Sequence, residues 1–192
     1  MVVKIRDSGM PDEAMWESFF DAPGVLQRLD FAPLTGNVVD VGCGYGTFTV
    51  AAARLTRGTV YAFDIDPQMI AATAEKARSL GLANVRAIER DVLSDGTGLP
   101  DGSAAYVMLF NVLHAAEVSS LLDAAWRVLR PGGVVAVTHW IADPGTPRGP
   151  PLDIRPRPEA CSAWLRQAGF LPHEEPVPLP PHHFGLIARK PV

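Results

Sequence analysis

The stretch Val38-Val39-Asp40-Val41-Gly42-Cys43-Gly44-Tyr45-Gly46-Thr47 decides the fold of this chain. A β-branched run ends in three glycines spaced two apart, and a small-residue helical stretch follows. That is the pattern of a buried strand, a tight turn and a helix N-terminus. Glycines leave no Cβ in the way of a ligand, and the first helical turn presents free N–H groups with a positive partial charge, so an anionic group can sit there. The pattern marks a nucleotide or adenosyl-group site. It is equally the pattern of a packing turn in an α/β protein that holds no ligand.

Outward from this turn, apolar runs at 37–41, 59–63, 84–88, 104–110 and 133–138 alternate with helical stretches, which predicts a parallel sheet built by βαβ crossovers. Asp66-Pro67 is a cap residue followed by proline at the first helical position; Ile70, Ala74 and Ala77 share a face, and Gly81 ends the segment. Val118, Leu121, Leu122, Ala125, Val128 and Leu129 form a second stripe, stopped by Pro131-Gly132-Gly133. A third helix is expected over 158–168, with Trp164 and Leu165 inward. Residues 12–20 put Met15, Trp16, Phe19 and Phe20 on one stripe after Asp12, as a small helix outside the sheet. The tail from Phe184 to Ala188 reads as a last strand paired with 171–177. No internal repeat is present.

The chain has 192 residues, 47% hydrophobic and 20% charged, which suits one domain with a sheet covered on both faces. The net charge of −4 and scattered basic residues argue against a nucleic-acid partner. No apolar run reaches membrane-spanning length, and the N-terminus, with Lys4, Arg6 and Asp7, lacks a signal-peptide core, so a cytoplasmic protein with no membrane partner is expected. The two cysteines, Cys43 and Cys161, are too few for a metal cage or disulfide framework; both read as structural and no metal is expected.

A glycine turn with an acid about 20 residues on is also the nicotinamide-dinucleotide fingerprint, and Asp64 at the end of YAFDID fills that role. Two features favour a different ligand. The turn is GxGxG rather than GxGxxG, with Asp40 two residues ahead of it, and Arg90-Asp91-Val92 brings another acid to the same edge.

These residues resemble the class I S-adenosylmethionine-dependent methyltransferases over about 36–140: VVDVGCGYG is similar to the family's first motif, YAFDID to its second, ERDV to its third and LRPGG to the turn before the fifth strand. The resemblance implies a Rossmann-like α/β fold with a mostly parallel seven-stranded sheet, an antiparallel last strand and helices on both faces. It implies S-adenosylmethionine as cofactor, leaving S-adenosylhomocysteine. Gly42, Gly44 and Gly46 would let the methionine part approach the backbone, with Asp40 near its ammonium. Asp64 would hold the ribose hydroxyls, Asp91 with the Val92 amide would read the adenine edge, and Asn111 would line the methyl-donor side. Cys43 and Ile65 fall within the same cofactor-binding set by position. Asp66 reads as a helix cap. Ala104-Ala105 stands where family members often have Phe-Asp, an acid that supports the strand rather than the cofactor.

On this reading residues 1–30 are a helical lid, 31–140 the cofactor-binding core and 141–192 a substrate-side loop, helix and hairpin of one methyltransferase domain. The long aperiodic segment 141–158 starts at the carboxyl edge of the sheet, where open α/β folds bind ligands. His114 and His139, at the ends of the fourth and fifth strands, are the candidate catalytic bases; each is equally a hydrogen-bonded pocket wall. His173, His182 and His183 lie in the tail. Arg148, Arg155 and Arg157 are candidates for binding an anionic small-molecule acceptor; solvated charges or pairs with Asp143 and Asp153 are the alternative. Trp16 and Phe20 are candidate substrate contacts, against ordinary packing. The tetrapeptide of amino-directed DNA methyltransferases is absent, Asn111-Val112-Leu113-His114 standing in its place. A small-molecule methyltransferase is the leading reading. A non-catalytic S-adenosylmethionine-binding module and a nicotinamide-dependent oxidoreductase are the alternatives, the latter lacking a Tyr-x-x-x-Lys pair.

Overall fold

A computed structural model describes residues 11–31, 36–114 and 117–192. The expectations resting on Lys4, Arg6 and Asp7, and on the first ten residues of the lid, lie outside the described residues. The sheet contains β1 (Asn37–Val41), β2 (Val60–Asp64), β3 (Val85–Glu89), β4 (Ala104–Phe110), β5 (Leu129–Trp140), β6 (Leu171–Pro172), β7 (Val177–Leu179) and β8 (His183–Arg189). Its order is β3-β2-β1-β4-β5-β8-β6, with β7 also on β8. Strands β1 to β5 are mutually parallel, and β8 returns antiparallel to β5 from Val134↔Arg189 to Trp140↔His183. The chain order reverses between β1 and β4, so their carboxyl ends flank the crevice where such sheets bind ligands.

The alternating strand faces build two apolar layers. Val39, Val41, Val107 and Leu109 point toward α6 (Val118–Val128) and α7 (Pro158–Gln167), meeting Leu121, Leu122 and Leu165. Val38, Tyr106 and Met108 point the other way, toward Leu26 of α2 (Ala22–Arg28) and Phe48 and Ala52 of α3 (Thr47–Leu55). All seven residues of β4 are buried, as a central strand covered on both faces requires. The expected cap holds: Asp66 Oδ1 accepts from Gln68 N at 2.8 Å and starts α4 (Pro67–Ser79).

Several local readings differ. The stripe at 12–20 is a short α1 (Glu13–Ser18) with Phe19 as its C-cap, and a separate α2 follows because Asp21 caps Gly24 N and Pro23 lies in its first turn. A single turn, α5 (Val92–Asp95), follows β3. Residues 131–133 do not stop a helix from outside; α6 already ends at Val128, and the turn bulges within β5, where pairing jumps from Ala104↔Leu129 to Tyr106↔Val134. The expected seventh strand is split: β6 and β7 pair opposite ends of β8, because Pro172, Pro176 and Pro178 supply no N–H to a continuous ladder. Among the described residues eight strands therefore fill seven sheet positions. Ala105, where the family often has an acid, sits so close to Gly36 that a Cβ there would stand 2.7 Å from its own. Among the described residues no helix is long and apolar enough to cross a membrane.

The N-terminal helices are tied to the sheet by Tyr106, whose buried hydroxyl donates to Leu29 O at 2.7 Å. Tyr106→Phe leaves that carbonyl without its donor at almost unchanged packing. Urea unfolding should show a loss of about 1 kcal/mol, as a lower midpoint at constant m-value.

Candidate active site

Every loop at the carboxyl edge of β1 to β5 contributes to one cavity of about 630 Å³. The β1 turn carries Gly42, Gly44 and Gly46 at φ of +74°, +53° and +75°, a left-handed run that glycine adopts without strain. The floor is backbone: a Cβ on Gly42 would collide with Val112 Cγ1 at 2.6 Å. Gly46 serves packing instead. It does not line the cavity, and a Cβ there would stand 2.8 Å from Thr73 Oγ1 of α4, so its smallness lets α4 approach. Cys43 lines the cavity with its thiol turned to Thr73 Oγ1 at 3.6 Å, and burial drives its pKa up, so it stays protonated.

Three acids stand on three successive strand ends. Asp40, at 2% exposure, accepts from Thr49 Oγ1 at 2.6 Å; burial pushes its pKa up to about 7 against that hydrogen bond, with the Asp64 charge adding to the rise. Asp64 accepts from Gly44 N at 2.9 Å through one oxygen and from Asp66 N at 3.0 Å through the other, so both oxygens are held in place with lone pairs to spare. Asp91 caps α5, accepting from Leu93 N at 3.1 Å, Ser94 N at 3.3 Å and Ser94 Oγ at 3.0 Å. Ile65 and Val92 are the apolar walls beside these acids. Beyond β4, Asn111 holds φ +58°, unusual for a residue with a side chain, and both its amide atoms are buried with no partner among the described residues.

This set fits S-adenosylmethionine. A zwitterionic amino-acid end needs a backbone floor, an acid for its ammonium and polar donors for its carboxylate; Gly42, Gly44, Asp40 and the orphaned Asn111 amide supply them. Among the described residues the cavity is lined by five carboxylates, Asp40, Asp64, Asp66, Asp91 and Glu117, against two guanidinium groups, Arg90 and Arg148. That balance favours a cationic sulfonium and opposes a pyrophosphate. Arg90 is moreover committed to Gly96 O at 2.7 Å and Asp95 O at 2.9 Å.

The acceptor side is partly as expected. Trp16, His114 and Arg148 line the cavity. Phe20 does not: it packs behind Trp16, with ring centroids at 4.8 Å from Trp16 and 5.1 Å from Phe48. His139 is fully buried and stands behind His114, its Nε2 3.3 Å from His114 Nδ1. Arg155 is a strut, donating to Pro150 O at 2.7 Å, Ile141 O at 3.0 Å and Arg148 O at 3.0 Å with its guanidinium over the Trp140 ring. With a further bond to Thr146 Oγ1, four of its five N–H groups are spent in folding the loop, and neither Asp143 nor Asp153 is its partner. Arg157 is the exposed residue before α7. Sequence reading missed Trp140, Met69, Phe48 and Phe110, all on the cavity wall. Met69 had a usable signal, one turn into the helix that Asp66 caps. Trp140 had none beyond ending a strand.

A Rossmann-like sheet with an acid at each of three neighbouring strand ends defines a class I S-adenosylmethionine-dependent methyltransferase. The chain belongs to the methyltransferase domain family, whose pattern matches residues 38–133, and S-adenosylmethionine is its cofactor. Among curated relatives, ribosomal protein L11 methyltransferase of Methylococcus capsulatus is 40% identical over 119 residues, covering 62% of this chain and 38% of the relative. That of Aliivibrio salmonicida is 35% identical over 116 residues, 59% of this chain and 37% of the relative. The match thus spans well under half the length of these relatives. Among solved structures, a SAM-dependent methyltransferase from Aquifex aeolicus superposes with TM-score 0.81 at 25% identity, covering 93% of both chains. The [4+2]-cyclase SpnF shares the fold at TM-score 0.73 and 20% identity, over 97% of this chain and 84% of its own.

Asp40 yields a signed pH dependence. With a pKa near 7 in the free protein, lowered when a cofactor ammonium sits beside it, binding favours the ionised carboxylate. Affinity for S-adenosylhomocysteine should rise from about pH 5.5 to about pH 7, a range in which the ligand's amino group stays protonated. Calorimetry in two buffers should register proton release, and Asp40→Asn should bind more weakly with the slope flattened.

Proposed function

We propose that this protein transfers a methyl group from S-adenosylmethionine to a small-molecule acceptor carrying an anionic group. The observation that carries this reading is the far wall of the cavity, made by Trp16 of α1, Trp140 at the end of β5, and Arg148, Gly149 and Pro150 of the long loop. A volume of about 630 Å³ lies within the range of roughly 300–1,000 Å³ typical of small-molecule sites. The described part of the N-terminal segment, from Pro11, acts as a lid on this reading. Within it α1 buries no residue and is held by contacts at its edges: Lys76 of α4 reaches both Glu13 and Glu17, and Tyr45 Oη donates to Pro11 O at 2.9 Å.

S-adenosylmethionine supplies an electrophilic methyl group on a positively charged sulfur. The protein's part is alignment: the glycine turn and Asp64 fix the donor, Trp16 and Trp140 exclude water from the acceptor's place, and Arg148 orients a carboxylate or phosphate on it. His114 lines the cavity and can hold an acceptor proton.

The name of the curated relatives favours a second reading, a protein acceptor such as ribosomal protein L11. The two separate by direct assay with labelled S-adenosylmethionine on a panel of hydroxy-, amino- and thiol-substituted benzoates and on purified ribosomal protein L11. Label on a benzoate supports the small-molecule reading; label on L11 alone overturns it. A protein that is stabilised by S-adenosylhomocysteine and transfers to neither is a binding module, whereas stabilisation by NAD instead would point to the oxidoreductase. With a benzoate acceptor, Arg148→Gln should raise KM roughly twofold to fivefold at nearly constant kcat, the effect of a solvent-facing ion pair.

A further inference from the structure

The two imidazoles at the ends of β4 and β5 form a chain whose hydrogen positions can be read from one end. His139 Nδ1 lies 3.3 Å from Trp140 O, and a carbonyl only accepts, so Nδ1 carries the hydrogen. In a neutral ring Nε2 is then a bare lone pair. Nε2 lies 3.3 Å from His114 Nδ1, so His114 must donate there, and its own proton sits on Nδ1. The free lone pair of His114 is therefore on Nε2, the opposite side of a ring that lines the cavity.

We propose that His139 is a positioning residue that locks His114 in the Nδ1–H tautomer, so that His114 Nε2 takes the proton from an un-ionised hydroxyl acceptor. The chemical consequence rests on the methyl-transfer reading above; the tautomer does not.

The surroundings keep the pair neutral. His139 is fully buried, and burial takes its pKa down to about 3, with His114 and Arg155 disfavouring a positive charge beside them; burial also lowers the pKa of His114. His183 of β8, buried beside Trp140, is likewise pushed down to about 3, with His139, His182 and Arg155 around it. Glu117 is the carboxylate on the same stretch of cavity wall. With this low proton affinity, the acceptor is not ionised in advance: its proton moves as the new bond forms. The acceptor oxygen bonds to the methyl carbon, the carbon–sulfur bond breaks with its electron pair kept by sulfur, and the hydroxyl proton ends on His114 Nε2. The resulting imidazolium still donates Nδ1–H to His139 Nε2 and then gives up its proton through the cavity.

Such an arrangement discriminates among nucleophiles. A thiol titrates near pH 8.5 and is already partly ionised, and a neutral amine attacks before losing a proton. A phenolic hydroxyl, near pH 10, keeps its proton and needs an acceptor for it. Trp16 and Trp140 offer aromatic faces to such a ring.

The test is the ring-nitrogen NMR spectrum of histidine-labelled protein saturated with S-adenosylhomocysteine. The wild type should show His114 with its hydrogen on Nδ1. His139→Leu, close in volume, should return it to the Nε2–H form common in water, and His139→Gln, whose side-chain oxygen reaches the position of Nε2, should restore Nδ1–H. A wild-type His114 protonated on Nε2 overturns the proposal without any variant, as does an Nδ1–H form that persists in His139→Leu. In transfer assays His139→Leu should lower kcat for 4-hydroxybenzoate at least tenfold, spare 4-mercaptobenzoate and leave KM for S-adenosylmethionine unchanged. Equal loss on both acceptors would make His139 merely structural. Failure of every acceptor sinks the methyl-transfer reading while the tautomer is still decided by the spectrum.

Discussion

The Asp64 carboxylate is the joint on which the site depends. It accepts from Gly44 N at 2.9 Å and from Asp66 N at 3.0 Å, and so ties the turn after β1 to the turn after β2. Thr73 of α4 clamps the same turn from behind, donating to Gly44 O at 2.8 Å. A left-handed glycine run has little preference for one shape, and these two contacts select one. Once Gly44 is fixed, the turn lines the cavity beside Asp64, which keeps lone pairs to spare. The acid thus builds half of the cofactor site before meeting any cofactor, which is how a site becomes preorganised.

The opposite end of the cavity is organised by a cation in the same manner. Arg155 gathers the carbonyls of Ile141, Arg148 and Pro150 and covers the Trp140 face, and this folds a loop with no secondary structure of its own beyond the turn Leu152–Ile154. A guanidinium suits the task because its planar fork can serve several oxygens at once. The consequence for recognition is indirect: Arg155 holds the backbone of Arg148 so that Arg148, whose side chain has no such duties, can face the cavity.

The parallel sheet, the glycine turn and the Asp66 cap were legible in the sequence because each is a local pattern with one physical meaning. The buried run of β4 reads as a central strand without knowledge of its neighbours. What escaped reading depended on partners distant along the chain. Phe20 and Trp16 lie on one apparent stripe, yet only Trp16 reaches the cavity, because α1 ends at Ser18 and turns Phe20 toward Phe48. His114 and His139 looked equivalent at two strand ends; burial of the second behind the first is a matter of sheet geometry. Arg155 looked like an anion binder until its donors were counted against the carbonyls around it. The break in the edge strand was visible in its prolines but demanded knowing that β8 alone supports it.

That division has a physical origin. The groups that fit the cofactor are largely backbone and acids within a few residues of their strand ends, so that part of the cavity is written in short motifs. The wall assigned to the acceptor on the proposed reading is made of side chains from α1, the ends of β4 and β5 and the long loop, brought together only by the tertiary fold, and no short motif can encode such a set. The same core supports different chemistry: the [4+2]-cyclase SpnF shares this fold with methyltransferases. On the proposed reading the acceptor wall is Trp16, His114, Trp140 and Arg148, side chains that lie apart from the glycine turn and Asp64, so that one of them can change and leave the donor site standing.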